Sequence, residues 1–157
     1  MSFSYDNENP FTYIGTTSQQ QVKCFEISLL SLVLPNEILS SPYGSRIAFY
    51  PYVYIELKNI TAVGASNNII YSNNPNSRNM LFRASITDVS NPLSTSFITL
   101  KGDGMVQTIK FKPYDNLRFS VRLPSGEIYD TIIEENFSPN SPVAIGQISA
   151  VFSLKRT

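Results

Sequence analysis

The sequence predicts an all-β chain, a β-sandwich of about eight antiparallel strands, and three observations predict it. The first is composition: of 157 residues 12% are aromatic, with 9 Tyr and 10 Phe, and Val, Ile and Thr are common. Those side chains suit a pleated surface. The second is alternation, because several runs place apolar and polar residues in turn, the period of a half-buried strand. The third is punctuation: 10 Pro and clusters of Asn, Ser and Gly separate the runs at the spacing of consecutive antiparallel strands.

Along the chain, Met1 to Gln20 reads as a polar N-terminal arm, and residues 21–157 as the β domain. The arm has no strand or helix period, and its aromatics Phe3, Tyr5, Phe11 and Tyr13 predict that it orders against another surface. Gln21 to Leu34 reads as a long strand that Pro35 closes, with Phe25, Ile27 and Leu29 on one face. Ala48 to Ile60 alternates from Pro51 onward, so Val53, Ile55 and Leu57 are expected inside and Tyr52, Tyr54, Glu56 and Lys58 outside. Gly64 to Asn79 reads as an Asn-rich loop with a short pairing run at Ile69 to Tyr71.

Six further strands are expected at Met80–Ile86, Ser96–Leu100, Val106–Lys112, Asn116–Leu123, Glu127–Thr131 and Gln147–Lys155. Leu117, Phe119, Val121 and Leu123 should face inward against Arg118, Ser120 and Arg122, and Ile148, Ala150, Phe152 and Leu154 share one side of the last strand. Gly102-Asp103-Gly104 reads as a hairpin tip, and Leu123-Pro124-Ser125-Gly126-Glu127 as a tight turn.

Composition also excludes functions. Without a single His, the Ser-His-Asp and Cys-His pairs and every His-containing zinc site are absent. Twelve Lys plus Arg balance twelve Asp plus Glu, so net charge predicts neither a nucleic-acid surface nor charge-steered binding. Cys24 is the one cysteine and has no intrachain partner, which points to a reducing compartment. Met1 to Asn9 carries Asp6 and Glu8 and lacks an apolar core, so no signal peptide is expected, and no apolar run approaches the ~20 residues of a membrane helix. A soluble chain with no direct membrane insertion is the expectation.

The acids Asp103, Asp115, Asp130, Glu134 and Glu135 are the candidates for a two-carboxylate glycosidase, but none sits in a recognisable catalytic context. Asp103 in KGDGM and Asp115 in KPYDN are too few for a calcium cage and read as turn residues. No enzyme, metal or cofactor is therefore expected. Tyr50, Tyr52 and Tyr54 offer two readings: a sugar-stacking platform, as in a β-sandwich carbohydrate-binding module, or an intersubunit surface. The lack of Trp weighs against the sugar.

Four stretches carry a resemblance to a family. They are Tyr71-Ser72-Asn73-Asn74-Pro75 followed by Leu81-Phe82-Arg83, and Ile109-Lys110-Phe111-Lys112-Pro113 leading to Asp115-Asn116-Leu117. The others are the Leu123–Glu127 turn and the closing Ala150-Val151-Phe152-Ser153-Leu154-Lys155-Arg156. Together they resemble the single-jelly-roll penton and minor capsid proteins of large eukaryotic double-stranded DNA viruses, including giant viruses, virophages and polinton-like relatives. The likeness spans most of the chain from Tyr52 and leaves out the arm. It implies a single jelly roll, a structural role in the virion, and a penton subunit that forms a homopentamer at the fivefold vertex. Implied partners are neighbouring major and minor capsid proteins, and a minor capsid or cement protein is the sister reading.

For the subunit interface, the sequence nominates Tyr71, Asn73, Asn74, Asn76, Arg78 and Arg83 at one loop end, with Tyr52 and Tyr54 on the outer face of the second strand. The competing expectation is that the asparagines only shape their own turn.

Overall fold

The computed structural model describes residues 2–5, 23–59, 70, 72–87, 91, 93–112, 115–132 and 147–157. They form eight strands: β1 (Ser2–Tyr5), β2 (Lys23–Pro35), β3 (Tyr52–Asn59), β4 (Met80–Ile86), β5 (Phe97–Gly102), β6 (Val106–Phe111), β7 (Asn116–Arg122) and β8 (Ser149–Arg156). Short 3-10 turns occupy Ile47–Phe49 and Pro75–Ser77, and the described residues contain no α-helix. The protein is all-β. Its hydrogen-bonded order is β1-β7-β3-β4-β5-β2-β6, with β8 on β2, and every pair is antiparallel except β1 with β7.

One corner converts this continuous order into two layers. Along β2 the buried positions run Ile27 and Leu29, then Leu32 and Leu34, so the inward parity changes between them. An extra residue, Leu30, causes the change, because the register with β8 passes from Leu29↔Phe152 directly to Ser31↔Val151. β5 and β6 show the matching irregularity. Both run antiparallel to β2, β5 beside Ser31–Pro35 and β6 beside Lys23–Ser28. Since β8 pairs with Phe25–Val33 and so overlaps both stretches, β5 and β6 share the opposite edge of β2 as one interrupted strand.

Gly102-Asp103-Gly104 is therefore a break within that strand and not the tip of a hairpin, a correction to the sequence reading. The two irregularities touch. A Cβ on Gly102 would lie 2.1 Å from the Leu29 carbonyl oxygen, so only glycine fits against the β2 bulge.

Beyond this corner β6, β2 and β8 lie over β4, β3 and β7. The Phe152 ring on β8 meets Phe82 on β4 at 6.1 Å and Phe119 on β7 at 5.8 Å between centroids. Those are face-to-face contacts between strands that share no ladder, the mark of a sandwich. The core between the layers holds Ile27, Leu32, Leu34, Val53, Ile55, Leu81, Leu100 and Val121, all fully buried. Burial of that many branched side chains, at roughly 2 kcal/mol each, is the main force opposing chain entropy.

Other departures from the sequence reading have local causes. The strand expected from Ala48 starts at Tyr52, because Ile47–Phe49 takes a 3-10 turn and the Ala48 N–H donates to the Asn36 side chain at 3.2 Å. Glu127–Thr131 makes only single bridges, Ile128 to Arg122 and Thr131 to Leu39, since its two ends pair with different neighbours. Tyr129 anchors it from within by donating its hydroxyl to the Pro35 carbonyl at 2.6 Å. Ile70 is not in a strand, and Ile69 and Tyr71 lie outside the described residues. Within the arm, Ser2–Tyr5 does take a strand and pairs in parallel with Asn116–Phe119 of the same chain, where no strand was expected.

Candidate interaction site

The outer face of β3, flanked by β4 and β7, gathers most of the nominated residues. Alternation sends Tyr52, Tyr54, Glu56 and Lys58 to this face, with Arg83 and Ser85 beside them on β4 and Arg118, Ser120 and Arg122 on β7. The expectation that all of β3's polar side would be exposed is not met: Tyr54 is 1% and Glu56 6% exposed. Ser120, expected outward on β7, is buried there as well. The physical reason is a cover. The loop from Ser72 to Arg78 and the Leu123–Glu127 turn close over the face and supply its hydrogen-bond partners.

Asn74 joins these two covering segments. Its side-chain oxygen accepts the Asn76 N–H at 2.9 Å and caps the Pro75–Ser77 turn. Its amide donates to the Pro124 carbonyl at 2.9 Å and approaches the Tyr52 hydroxyl at 3.4 Å. Asn76 donates to the same Pro124 carbonyl at 3.2 Å. Gly126, with φ of 91°, makes the turn that presents this carbonyl, and its Cα side faces Asn76. Both asparagines thus make bonds within their own chain, and these reach beyond their own turn to the Leu123–Glu127 turn. Asn73 and Arg78 are exposed, and Tyr71 lies outside the described residues.

Two charged clusters complete the face. Glu56 accepts from Arg122 Nε at 2.7 Å and from the Ser120 hydroxyl at 3.3 Å, with Lys58 Nζ 3.1 Å away. Burial pushes the Glu56 carboxyl up, but the bonds and charges of Arg122 and Lys58 outweigh it and hold it below its usual range. Arg122 also donates to the Gly126 carbonyl at 3.0 Å, tying this pair to the turn.

In the second cluster Arg83 pairs with Asp103, Ser85 donates to the same carboxylate at 2.7 Å, and the guanidinium lies 5.3 Å over the Tyr52 ring. The bond to Asp103 raises the Arg83 pKa. Tyr52 is lowered, first by its hydrogen bond to Asn74, while burial raises its edge-on neighbour Tyr54.

The arrangement is a surface braced from within the chain. Tyr54 is buried, and Tyr50 packs against the core, so no tyrosine platform for stacking a sugar forms. Asp103, Asp115 and Asp130 serve separate structural bonds: to Arg83 and Ser85, to the Lys112 N–H at 2.7 Å, and to Ser40 at 2.8 Å. Glu134 and Glu135 lie outside the described residues. Among the described residues no three His, Cys, Asp or Glu gather as a metal site.

Sequence reasoning nominated Asn74, Asn76 and Arg83 at a loop end and Tyr52 and Tyr54 on a strand face, and missed both the partners Pro124 and Asp103 and the adjoining cluster of Glu56, Ser120 and Arg122. Glu56 and Arg122 are 66 residues apart, so no local spacing could have joined them. A buried-face signal did exist in Arg122 and Glu56 sharing the outward parity of two apolar-rich strands.

Comparison with known proteins adds a source. The chain is 30% identical to the uncharacterized protein 198R of Invertebrate iridescent virus 6 over 158 aligned positions, 99% of its own length. It is 29% identical to the uncharacterized protein 069L of Invertebrate iridescent virus 3 over 139 positions, 88% of its length. Both relatives are viral. In each the match covers 32% of the relative, so the chain spans about a third of the length of these proteins. No family model matches the chain. No solved structure matches it either.

Proposed function

We propose that the chain is a structural protein of an icosahedral virus capsid, a non-enzymatic penton subunit that forms a homopentamer at the fivefold vertex. The observation that carries this reading is the similarity along nearly the whole chain to proteins of two large double-stranded DNA viruses. The all-β sandwich and the surface poor in charge, at 15% of residues, support it. A braced outer face suits a subunit that presents surface to neighbours, including major and minor capsid proteins. The virion is the location this reading assigns, and the single jelly roll is the wiring it expects.

A minor capsid or cement role is the second reading, favoured by one observation. Leu30, Val106 and Val151 stand 55%, 61% and 47% exposed on the outer side of β2, β6 and β8, where a neighbouring protein would cover them. Their register brings them together, Val106 opposite Ser28 and Val151 opposite Ser31 beside the Leu30 bulge. The carbohydrate module loses its platform with the burial of Tyr54.

Light scattering coupled to size exclusion tests the proposal. A penton subunit should elute at five times its 17.6 kDa mass. A single-subunit mass at every concentration contradicts the pentamer.

A further inference from the structure

The layer of β6, β2 and β8 ends in an open edge. Among the described residues β8 pairs with β2 alone, so its other side has no hydrogen-bonded neighbour there. Every second residue of such a strand directs its N–H and C=O outward, and that row is a template for another strand.

Edge strands are commonly blunted by shortness, a proline, a bulge or a charge within the strand. β8 runs for eight residues, and Ser149 to Leu154 contain neither proline nor charge. The bulge at this level belongs to β2, since Val151 and Phe152 follow one another in the register while Leu30 is passed over. β6, at the far side of the same layer, is six residues long and carries the exposed Lys110.

The core is also unfinished at the β8 edge. Ala150, Phe152 and Leu154 occupy the inner side of β8, opposite the buried Leu32, Leu29 and Ile27 of β2. None of the three is itself fully buried, and Leu154 is 40% exposed. On the outer side Val151 stands beside the bare Leu30. An added strand would cover apolar area on both faces besides completing backbone bonds.

Charge and shape decide which strand fits. Lys155 and Arg156 close β8. A parallel second β8 would set these cations beside their own copies. A neighbour's β6 would bring Lys110 to them, because Arg156 lies opposite Phe25 of β2 and Lys110 opposite the adjacent Cys24. An antiparallel second β8 sends the cations to opposite ends. Opposed residues share a face of the sheet, so outer must meet outer, and the centre of the pairing falls on a residue. Centred on Phe152, it sets Leu154 against the small Ala150 of the second copy, Val151 against Ser153 and Lys155 against Ser149. Centred one residue later, it would lay Lys155 on Val151.

We infer that the open edge of β8 pairs antiparallel with β8 of a second copy, centred on Phe152, and joins the two β6-β2-β8 layers into one sheet. A twofold contact cannot close a ring of five, so this inference does not rest on the vertex reading. It links one ring to another or, alone, forms a dimer.

Disulfide trapping on the full chain carrying Cys24→Ser tests it. Val151→Cys makes one variant and Ser153→Cys the other, both at exposed positions of the outer face. Directly opposed residues hold their Cβ atoms about 5 Å apart, close to disulfide reach, whereas position 151 meets its own copy only on a diagonal of roughly 7 Å. Under one mild oxidant the mixture should form covalent dimers roughly tenfold faster than either variant alone. Equal rates in all three samples, or no dimer, overturn the inference.

Sedimentation velocity gives a second readout without added cysteines. The unaltered chain should associate, and Val151→Lys, which sets a cation on the diagonal to Lys155 across the pair, should weaken that association about tenfold. An unchanged association constant overturns the inference. Pentamers whose β8 edges do not crosslink would sink it and leave the vertex reading standing.

Discussion

The two layers of the sandwich treat their outer faces differently. Around Tyr54, Glu56 and Ser120 the outer face of β3, β4 and β7 is roofed by the Ser72–Arg78 loop and the Leu123–Glu127 turn, and these polar side chains are buried beneath with their partners. Over β2, β6 and β8 the outer face leaves Leu30, Val106 and Val151 bare. The first face spends its polar groups on internal bracing, and the second leaves apolar area uncommitted. The comparison teaches that stability is stored on one side of the molecule while the other side is open to neighbours.

The largest way to break this contrast is at the corner that separates the layers. Gly102→Ala drives a Cβ into the Leu29 carbonyl, and the unfolding free energy in urea should fall by about 3 kcal/mol or more. A preserved midpoint would mean the bulges are not in contact. Next comes the packing between layers. Phe152→Ala should lose about 3 kcal/mol through its contacts to Phe82 and Phe119, while Val151→Ser, one residue away on the bare face, should stay within about 0.5 kcal/mol. Equal losses from the pair would erase the distinction between inner and outer faces.

Removing a brace under the roof is a smaller effect. Glu56→Gln leaves Arg122 without its carboxylate and should cost about 2 kcal/mol near neutral pH. Because the folded Glu56 pKa lies below its unfolded value, its contribution is present above the ordinary carboxylate range. It is lost as pH falls through the depressed folded value. Stability measured from pH 7 downward should therefore drop less steeply in Glu56→Gln than in the unaltered chain, and parallel curves would remove Glu56 from the account. Smallest of all, Asn74→Ala removes the cap and the Pro124 link, with an expected loss of about 1 kcal/mol in thermal unfolding.

The same contrast explains what was legible in the sequence. The second layer has one bare face, so Ile27 and Leu29 on β2, and Ala150 and Phe152 on β8, alternate as a half-buried strand should. In the first layer β3 is covered on both sides, and Val53 to Leu57 are all buried although the sequence alternates. Polarity at Tyr54 and Glu56 does not mean exposure, because their partners, Ser72 for Tyr54 and Ser120 and Arg122 for Glu56, come from distant strands and turns. The corner was written in the odd-to-even shift of apolar positions at Leu30, yet a shift gains meaning only when the neighbouring strand breaks at the same level.

The candidate site was legible in part for the same reason. Asn74, Asn76 and Arg83 are nominated at a loop end and Tyr52 from the outward alternation of its strand, and Tyr52 does meet Asn74 and Arg83. Their role within the chain depends on the Pro124 carbonyl and the Asp103 carboxylate, which local sequence does not announce.

The capsid assignment is tested most directly by counting copies of the chain in purified particles of the virus that encodes it, using quantitative mass spectrometry with isotope-labelled peptides. A penton subunit predicts about sixty copies per particle, five at each of twelve vertices. Absence from the particle would contradict the structural role, and several hundred copies would contradict the vertex and assign the chain between capsomers.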